Sequence, residues 1–265
     1  MNNLPINQII CGDCLGVMKE FPDKSIDMIL CDLPYGITVC DWDLVIPLEL
    51  LWEHYKRLIK DNRSIVLTAS QPFTTDLINS NRDWFKYEWI WQKNMGSGFC
   101  NAKKQPMKYH ENILVFYDKQ CVYNPIYEEY AESVKKRFKE GERVVSINPQ
   151  HETNVYGSFK KKDYTISHAR GKHPSSVQTI SCVPTHHGVR LHPTQKPVKL
   201  MEYLVRLITP SNGVILDPFC GSGTTLVAAI NEGFNYIGIE LSQEYCNISQ
   251  QRVNYAILNN KENKF

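Results

Sequence analysis

Asp32-Leu33-Pro34-Tyr35-Gly36 sets a carboxylate, main-chain carbonyls next to a proline and an exposed aromatic ring within five residues. A carboxylate beside a carbonyl accepts both hydrogens of one amine, and the ring offers a face on which a planar group can stack. Much later, Asp217-Pro218-Phe219-Cys220-Gly221-Ser222-Gly223-Thr224 sets a second carboxylate and ring beside two glycines, which let backbone approach a ligand closely. Each segment ends an apolar run, Ile26-Asp27-Met28-Ile29-Leu30-Cys31 in the first case and Val214-Ile215-Leu216 in the second. Both therefore read as loops at the carboxyl ends of buried strands, the edge at which open α/β sheets bind ligands. The first suits a planar, amine-bearing ring and the second suits a cofactor.

The glycine segment limits what that cofactor can be. A phosphate-binding loop needs a lysine after its second glycine, whereas Thr224 and Thr225 follow Gly223, so an ATPase reading is disfavoured. Glu240 closes the next apolar run, where a carboxylate can accept from both hydroxyls of a ribose. A nicotinamide dinucleotide would fit that position too, but the third glycine of its fingerprint is replaced by Leu226. A nucleoside joined to an amino acid, without phosphates, suits a loop that lacks the lysine.

The elements that must hold these loops follow from periodicity. Ile6–Ile10, Ile26–Cys31, Ser64–Thr68, Phe85–Trp91 and Asn112–Tyr117 read as strands, with helices at Leu15–Phe21, Pro47–Lys60 and Phe73–Asn79. In the second helix Leu48, Leu51, Trp52, Tyr55 and Leu58 fall on one face. From about Lys119 to Arg190 no long period survives. Regular alternation then returns, with helices at Pro197–Ile208, Thr224–Asn231 and Gln243–Leu258 and strands at Val214–Leu216 and Tyr236–Ile239. Strands alternating with helices imply an α/β fold with one Rossmann-like, mostly parallel sheet, interrupted once. The expected layout is residues 1–118 and 191–258 as two halves of one domain, 119–190 as an irregular inserted subdomain, and 259–265 as a frayed polar tail.

Composition excludes several classes. With 265 residues, 22% charged and 42% hydrophobic, the chain can bury one sizeable α/β core. No apolar run reaches the roughly 20 residues of a membrane helix and the amino terminus lacks a leader pattern, so a cytoplasmic location is expected. Nine cysteines cannot all pair, and Cys31, Cys220 and Cys246 sit within strand or helix patterns, as reduced core thiols do. Cys11-Gly12-Asp13-Cys14 has the spacing of half a zinc site, but no second such pair exists, so core packing is the reading and no metal is expected. His186-His187 likewise suits a surface or hydrogen-bonded pair.

Charge is uneven. Between Lys93 and Lys172 there are 15 Lys and Arg against 9 Asp and Glu, although the whole chain carries only +2. This middle third could hold a polyanion through phosphate contacts or simply be a solvated charged surface, as Lys135-Lys136-Arg137 beside Glu128, Glu129 and Glu132 illustrates. Trp91-Gln92-Lys93-Asn94 followed by Gly96-Ser97-Gly98 reads as a strand entering a flexible loop. Around it Lys93, Lys103, Lys104 and Lys108 could clamp phosphates or remain solvated charges. Tyr123, Tyr127, Tyr130, Tyr156 and Tyr164, near lysines including Lys160-Lys161-Lys162, suit contacts to bases or the filling of a small core.

Taken together, Gly12-Asp13, Asp32-Leu33-Pro34-Tyr35, His192-Pro193-Thr194-Gln195-Lys196-Pro197, Asp217 to Gly223 and Ile237-Gly238-Ile239-Glu240 resemble, in that order, the circularly permuted beta class of DNA amino-methyltransferases. The resemblance covers most of the chain except residues 119–190. It implies a Rossmann-like domain that uses S-adenosylmethionine to methylate the exocyclic amine of adenine or cytosine in duplex DNA. It further implies a base flipped out of the helix, direct in-line transfer without metal, and target recognition by the irregular segment.

By the same resemblance Asp32 and the Leu33 carbonyl accept from the target amine, Pro34 shapes the loop and Tyr35 stacks on the base. Asp217 with Gly221, Gly223 and Thr224 holds the methionine end, Phe219 packs near the sulfonium, Thr194 and Lys196 line the methionine pocket, and Asp13 and Glu240 hold the adenosine. Leu33 departs from the commoner proline and leaves the loop one rigid φ short. Asp rather than Ser at the head of the motif implies adenine-N6, with cytosine-N4 as the enzymatic alternative and a non-catalytic cofactor- and DNA-binding protein as the alternative from another class. Permuted members of the family often pair as dimers, so the resemblance allows a homodimer, though no residue pattern here marks an interface. A restriction-modification role would place any nuclease on a separate chain.

Overall fold

A computed structural model of the chain describes residues 4–36, 46–135, 143–145, 164–166, 171–184 and 190–262. The chain divides into two compact units, Met1–Asn124 with Ser176–Phe265, and Pro125–Ser175. The second is narrower than the irregular stretch expected from sequence, because the residues flanking it belong to the larger unit.

The larger unit is built on one eight-stranded sheet. Its strands are β1 (Gln8–Cys11), β2 (Ile26–Asp32), β3 (Ile59–Ala69), β4 (Phe85–Ser97), β5 (Lys108–Phe116), β8 (Val177–Thr179), β9 (Val214–Asp217) and β10 (Asn235–Glu240). They lie in the order β1-β10-β9-β2-β3-β5-β4-β8. Pairing is parallel from β1 through β3, antiparallel on both sides of β5, and parallel again between β4 and β8. Strand β8 comes from the stretch with no readable period. Its three residues, two of them exposed, are too few to show an alternation.

Strand β2 is buried over Ile26–Cys31, as a central parallel strand covered on both faces requires. The one charge within this buried run, Asp27, accepts from Lys60, Arg63 and the Val214 amide, and these partners outweigh burial to hold its carboxyl below the usual range. Helices α1 (Cys14–Lys19), α2 (Leu48–Leu58), α3 (Phe73–Ser80), α5 (Val198–Ile208), α6 (Thr224–Asn231) and α7 (Gln243–Glu262) complete the unit. Helix α5 is amphipathic, burying Leu200, Met201, Leu204, Val205, Leu207 and Ile208. Helix α7 runs to Glu262 rather than fraying after Leu258, and Asn260 donates to the Ile230 carbonyl at 3.1 Å.

In the smaller unit the described residues form helix α4 (Glu132–Lys135) and a two-stranded antiparallel pair, β6 (Arg143–Val145) and β7 (Tyr164–Ile166). Lys172 and Glu128 exchange backbone hydrogen bonds and form an ion pair at 2.8 Å. Tyr156, Lys160-Lys161-Lys162, His186-His187 and the side chain of Tyr164 lie outside the described residues. Among the described residues no helix is long and apolar enough to cross a membrane, and no group of His, Cys, Asp and Glu is arranged to hold a metal ion.

The register places the two motif loops side by side. Met28 and Ile29 pair with Ile215 and Leu216 across β2 and β9, so the strands ending at Asp32 and Asp217 are central neighbours. To one side of this pair the chain order runs through β10 and β1, to the other through β3. That reversal is the switch point at which ligands bind sheets of this kind.

Candidate active site

A cavity of about 330 Å³ opens at this switch point. Its lining takes Asp32, Leu33 and Pro34 from one motif, Asp217, Phe219, Gly221 and Thr224 from the other, and Asp13, Thr194, Lys196 and Glu240 from the segments around them. The size falls within the range of small-molecule sites, roughly 300–1,000 Å³. Four carboxylates, those of Asp13, Asp32, Asp217 and Glu240, face the cavity against the single ammonium of Lys196. Such a lining suits a cation and repels a phosphate.

On the glycine side, backbone amides hold the acids in place. The Glu240 carboxylate accepts from the Gly221 amide and from the Ser242 amide, each at 2.8 Å, and keeps a further lone pair on each oxygen. Asp217 accepts from the Phe219 amide at 3.1 Å. Burial raises its carboxyl to about 7, a rise that the Thr225 hydroxyl and the Phe219 amide oppose and that Asp32 and Glu240 reinforce. Asp13 caps α1 by accepting from the Gly16 amide at 2.7 Å. Arg252 of α7 donates to the carbonyl and hydroxyl of Ser222 and to the hydroxyl of Thr224, bracing the loop from outside.

The two glycines differ in role. Gly221 (φ +50°) lines the cavity, and a Cβ there would meet only the His192 ring, at 3.7 Å. Gly223 (φ +78°) is absent from the lining, and a Cβ on it would fall 2.3 Å from the Ser249 hydroxyl of α7. Gly223 therefore serves close packing between loop and helix, where sequence reasoning assigned it to the ligand.

On the other side the acid is held by side chains. Asp32 Oδ1 accepts from the Tyr35 hydroxyl at 2.7 Å and, over a shorter contact, from the Thr68 hydroxyl; Oδ2 accepts from Lys196 Nζ at 2.5 Å. Lys196 lies 3.3 Å from Glu111 Oε2, and Glu111 Oε1 accepts from Lys93 at 3.1 Å. Burial opposes the charge on Lys196, but Asp32 and Glu111 outweigh it and raise the ammonium above its usual range. Burial raises the Tyr35 hydroxyl far above the usual phenol range, and Asp32 adds to the effect.

Several assignments change in consequence. Tyr35 is half-buried rather than exposed: its ring stacks on Phe73 at 5.4 Å and does not line the cavity. Lys93 is buried and paired with Glu111, so it is not free to clamp a phosphate; it shares the inward face of β4 with Trp89 and Trp91. Lys108 is half-buried and donates to Ser70. Lys103 and Lys104 are exposed beyond the short 3-10 turn Phe99–Asn101.

Four contributors escaped sequence reasoning. Thr68 and Glu111 come from β3 and β5, Arg252 from α7, and Tyr245 lines the cavity with its ring 4.4 Å from that of His192. For Lys93, by contrast, the inward placement had left a usable signal, the alternation Trp89, Trp91, Lys93 along one strand.

A family model described as DNA methylase matches residues 26–251. Among relatives, the chain is 27% identical to the Type II methyltransferase M.HinfI of Haemophilus influenzae, over 94% of this chain and 68% of that protein. It is 24% identical to the Type II methyltransferase M1.MboII of Moraxella bovis, over 97% of this chain and 100% of that one. Among solved structures, an M1.HpyAVI–SAM complex superposes with a TM-score of 0.62 at 23% identity, covering 93% of this chain and 98% of that chain. The cytosine-N4-specific PvuII DNA methyltransferase superposes with a TM-score of 0.65 at 16% identity, covering 92% and 85%.

Proposed function

This chain belongs to the DNA methylase family of adenine-N6 and cytosine-N4 methyltransferases, and from that premise we propose that it methylates the N6 amine of adenine in duplex DNA, using S-adenosylmethionine. The observation that carries the reading is one cavity shared by the Asp32-Leu33-Pro34 loop and the Asp217–Thr224 loop. When bound, S-adenosylmethionine supplies a methyl group on a positively charged sulfur, which an amine nitrogen can take in one in-line displacement. The lining fits such a group, since it is acidic, offers an amide-held carboxylate for ribose hydroxyls at Glu240 and lacks a phosphate-binding lysine in its glycine loop.

An exocyclic amine is a poor nucleophile because its lone pair is shared with the ring. Asp32 and the Leu33 carbonyl, accepting its two hydrogens, favour a pyramidal nitrogen whose lone pair points outward, an effect of orientation and electrostatics. Asp32 or water takes the proton as the product forms. The base must leave the duplex to reach the cavity, at a cost of a few kcal/mol that stacking and phosphate contacts offset. The exposed Lys103 and Lys104 are suited to the phosphates. Aspartate at the head of the motif supports adenine over cytosine.

The test is mass spectrometry of nucleosides from mixed-sequence duplex DNA incubated with the protein and S-adenosylmethionine. N6-methyladenine is expected with the wild type and not with Asp32→Ala. N4-methylcytosine would overturn the base assignment, and no methylated nucleoside despite cofactor binding would overturn the activity.

A further inference from the structure

The Lys196 ammonium stands where the target amine needs to be. It occupies Oδ2 of Asp32 at 2.5 Å, while the hydroxyls of Tyr35 and Thr68 already occupy Oδ1. It also lies over the Tyr35 ring, 5.6 Å from its centroid. A cation sharing an oxygen with the amine would moreover repel the positive charge that develops on nitrogen as it gains a methyl group. The arrangement is therefore that of a site filled by its own side chain.

Lys196 cannot simply leave. It is buried, and an unpaired buried ammonium is costly. One alternative partner is at hand: Glu111 Oε2, 3.3 Å away, is buried and makes no hydrogen bond of good geometry, whereas Oε1 is held by Lys93. We propose that Lys196 is a place-holder for the target amine at Asp32, and that Glu111 is the positioning residue that receives the ammonium when the base enters. Lys93, pinning Oε1, keeps Oε2 turned toward Lys196. Glu111 then sets how readily Asp32 is freed, without touching base or cofactor. The inference rests on the methyltransferase reading of the same site.

The test compares wild type, Glu111→Gln, Glu111→Asp, Lys196→Met and the double variant Glu111→Gln/Lys196→Met. Each is assayed for single-turnover methylation of mixed-sequence duplex DNA with radiolabelled S-adenosylmethionine, and for the Kd of S-adenosylhomocysteine. Expected is a rate at least about tenfold lower for Glu111→Gln with a Kd little changed, partial recovery in Glu111→Asp, and a double variant faster than Glu111→Gln alone. Removing the place-holder removes the need for its receiver, whereas a merely structural Glu111 gives losses that add. A double variant as slow as or slower than Glu111→Gln overturns the proposal. So does a Glu111→Gln rate equal to wild type, while an inactive wild type sinks the methyltransferase reading instead. Should Glu111→Gln not fold, the wild type decides, in a crystal with S-adenosylhomocysteine and a duplex bearing the methylated sequence. Lys196 Nζ nearer Glu111 than Asp32 supports the proposal, and an unchanged 2.5 Å contact to Asp32 overturns it.

Discussion

The two ends of the cavity are built by opposite means. At the Asp217–Glu240 end, main-chain amides hold the acids, a half-buried guanidinium braces the loop, and lone pairs on Glu240 remain for a ligand. At the Asp32 end, hydroxyls and an ammonium from three separate segments occupy the acid, and neither oxygen of Asp32 is left without a partner. Backbone-held groups stay put, so the first end is pre-organised and a ligand can enter without rearrangement. Side-chain partners can be exchanged, so the second end satisfies itself until something displaces them. This difference suits a reaction in which one reactant is a small, constant molecule and the other a base that must be admitted selectively.

The largest effect that separates the ends is expected at Asp32. Asp32→Ala should lower single-turnover methylation by about 10²-fold or more, the scale seen when one electrostatic group at a reacting centre is removed. The Kd for S-adenosylhomocysteine should change little, because Lys196 keeps Glu111 as a partner and the glycine loop is untouched. Loss of cofactor binding in parallel with rate would show that the ends are not independent.

The converse is Glu240→Ala. It strips acceptors from the Gly221 and Ser242 amides as well as from a ribose. Charged hydrogen bonds of this kind are worth about 1.5–3 kcal/mol each. The Kd should therefore weaken by at least about tenfold by isothermal calorimetry, the loss of one such bond, with a smaller loss in rate at saturating cofactor. A rate loss that saturation cannot recover would place Glu240 nearer the chemistry than the structure does.

Asp217 gives the comparison a pH dependence. Burial lifts its carboxyl from 3.8 to about 7, so between these values the folded chain holds a proton that the unfolded chain has lost. Its contribution to stability is thus present below pH 3.8 and lost as pH rises through about 7. A cationic ligand has the opposite preference, since it favours the ionised carboxylate. Cofactor affinity should then rise with pH by at most about tenfold per unit below 7, level off above it, and be accompanied by proton release measurable in buffers of different ionisation enthalpy. Asp217→Asn should flatten the profile.

How much of this could be read from the chain follows from the same contrast. Loops announced by local composition were legible: Asp32-Leu33-Pro34 and Asp217 to Gly221 do line one cavity, and the apolar runs before them are the paired central strands. What escaped depends on where distant side chains meet. Glu111 and Thr68 lie on strands whose order in the sheet is not in their sequence, and Arg252 reaches back from the last helix. Tyr35 read as an exposed ring because it sits in a Pro-Gly turn beyond the apolar run, but Phe73, Thr68 and Asp32 together offer its ring and hydroxyl a better place inward. Lys93 misled for another reason: a lysine is taken as solvated unless the alternation of its strand is weighed first.

The smallest predicted effect bears on what makes the glycine end rigid. In Gly223→Ala two costs combine, the left-handed φ of +78° and a Cβ 2.3 Å from the Ser249 hydroxyl. The backbone term is about 1 kcal/mol and overpacking adds about 1–3 kcal/mol. Each kcal/mol corresponds to about 2–4 °C in Tm for a chain of this size. Adding Ser249→Ala removes the hydroxyl but not the φ, so the double variant should recover only the overpacking part. Because Gly223 does not line the cavity, cofactor affinity measured well below Tm should fall less than in Glu240→Ala. An equal fall would mean that the loop is held in shape by its packing on α7 as much as by its amides, and that pre-organisation at this end extends through the helix behind it.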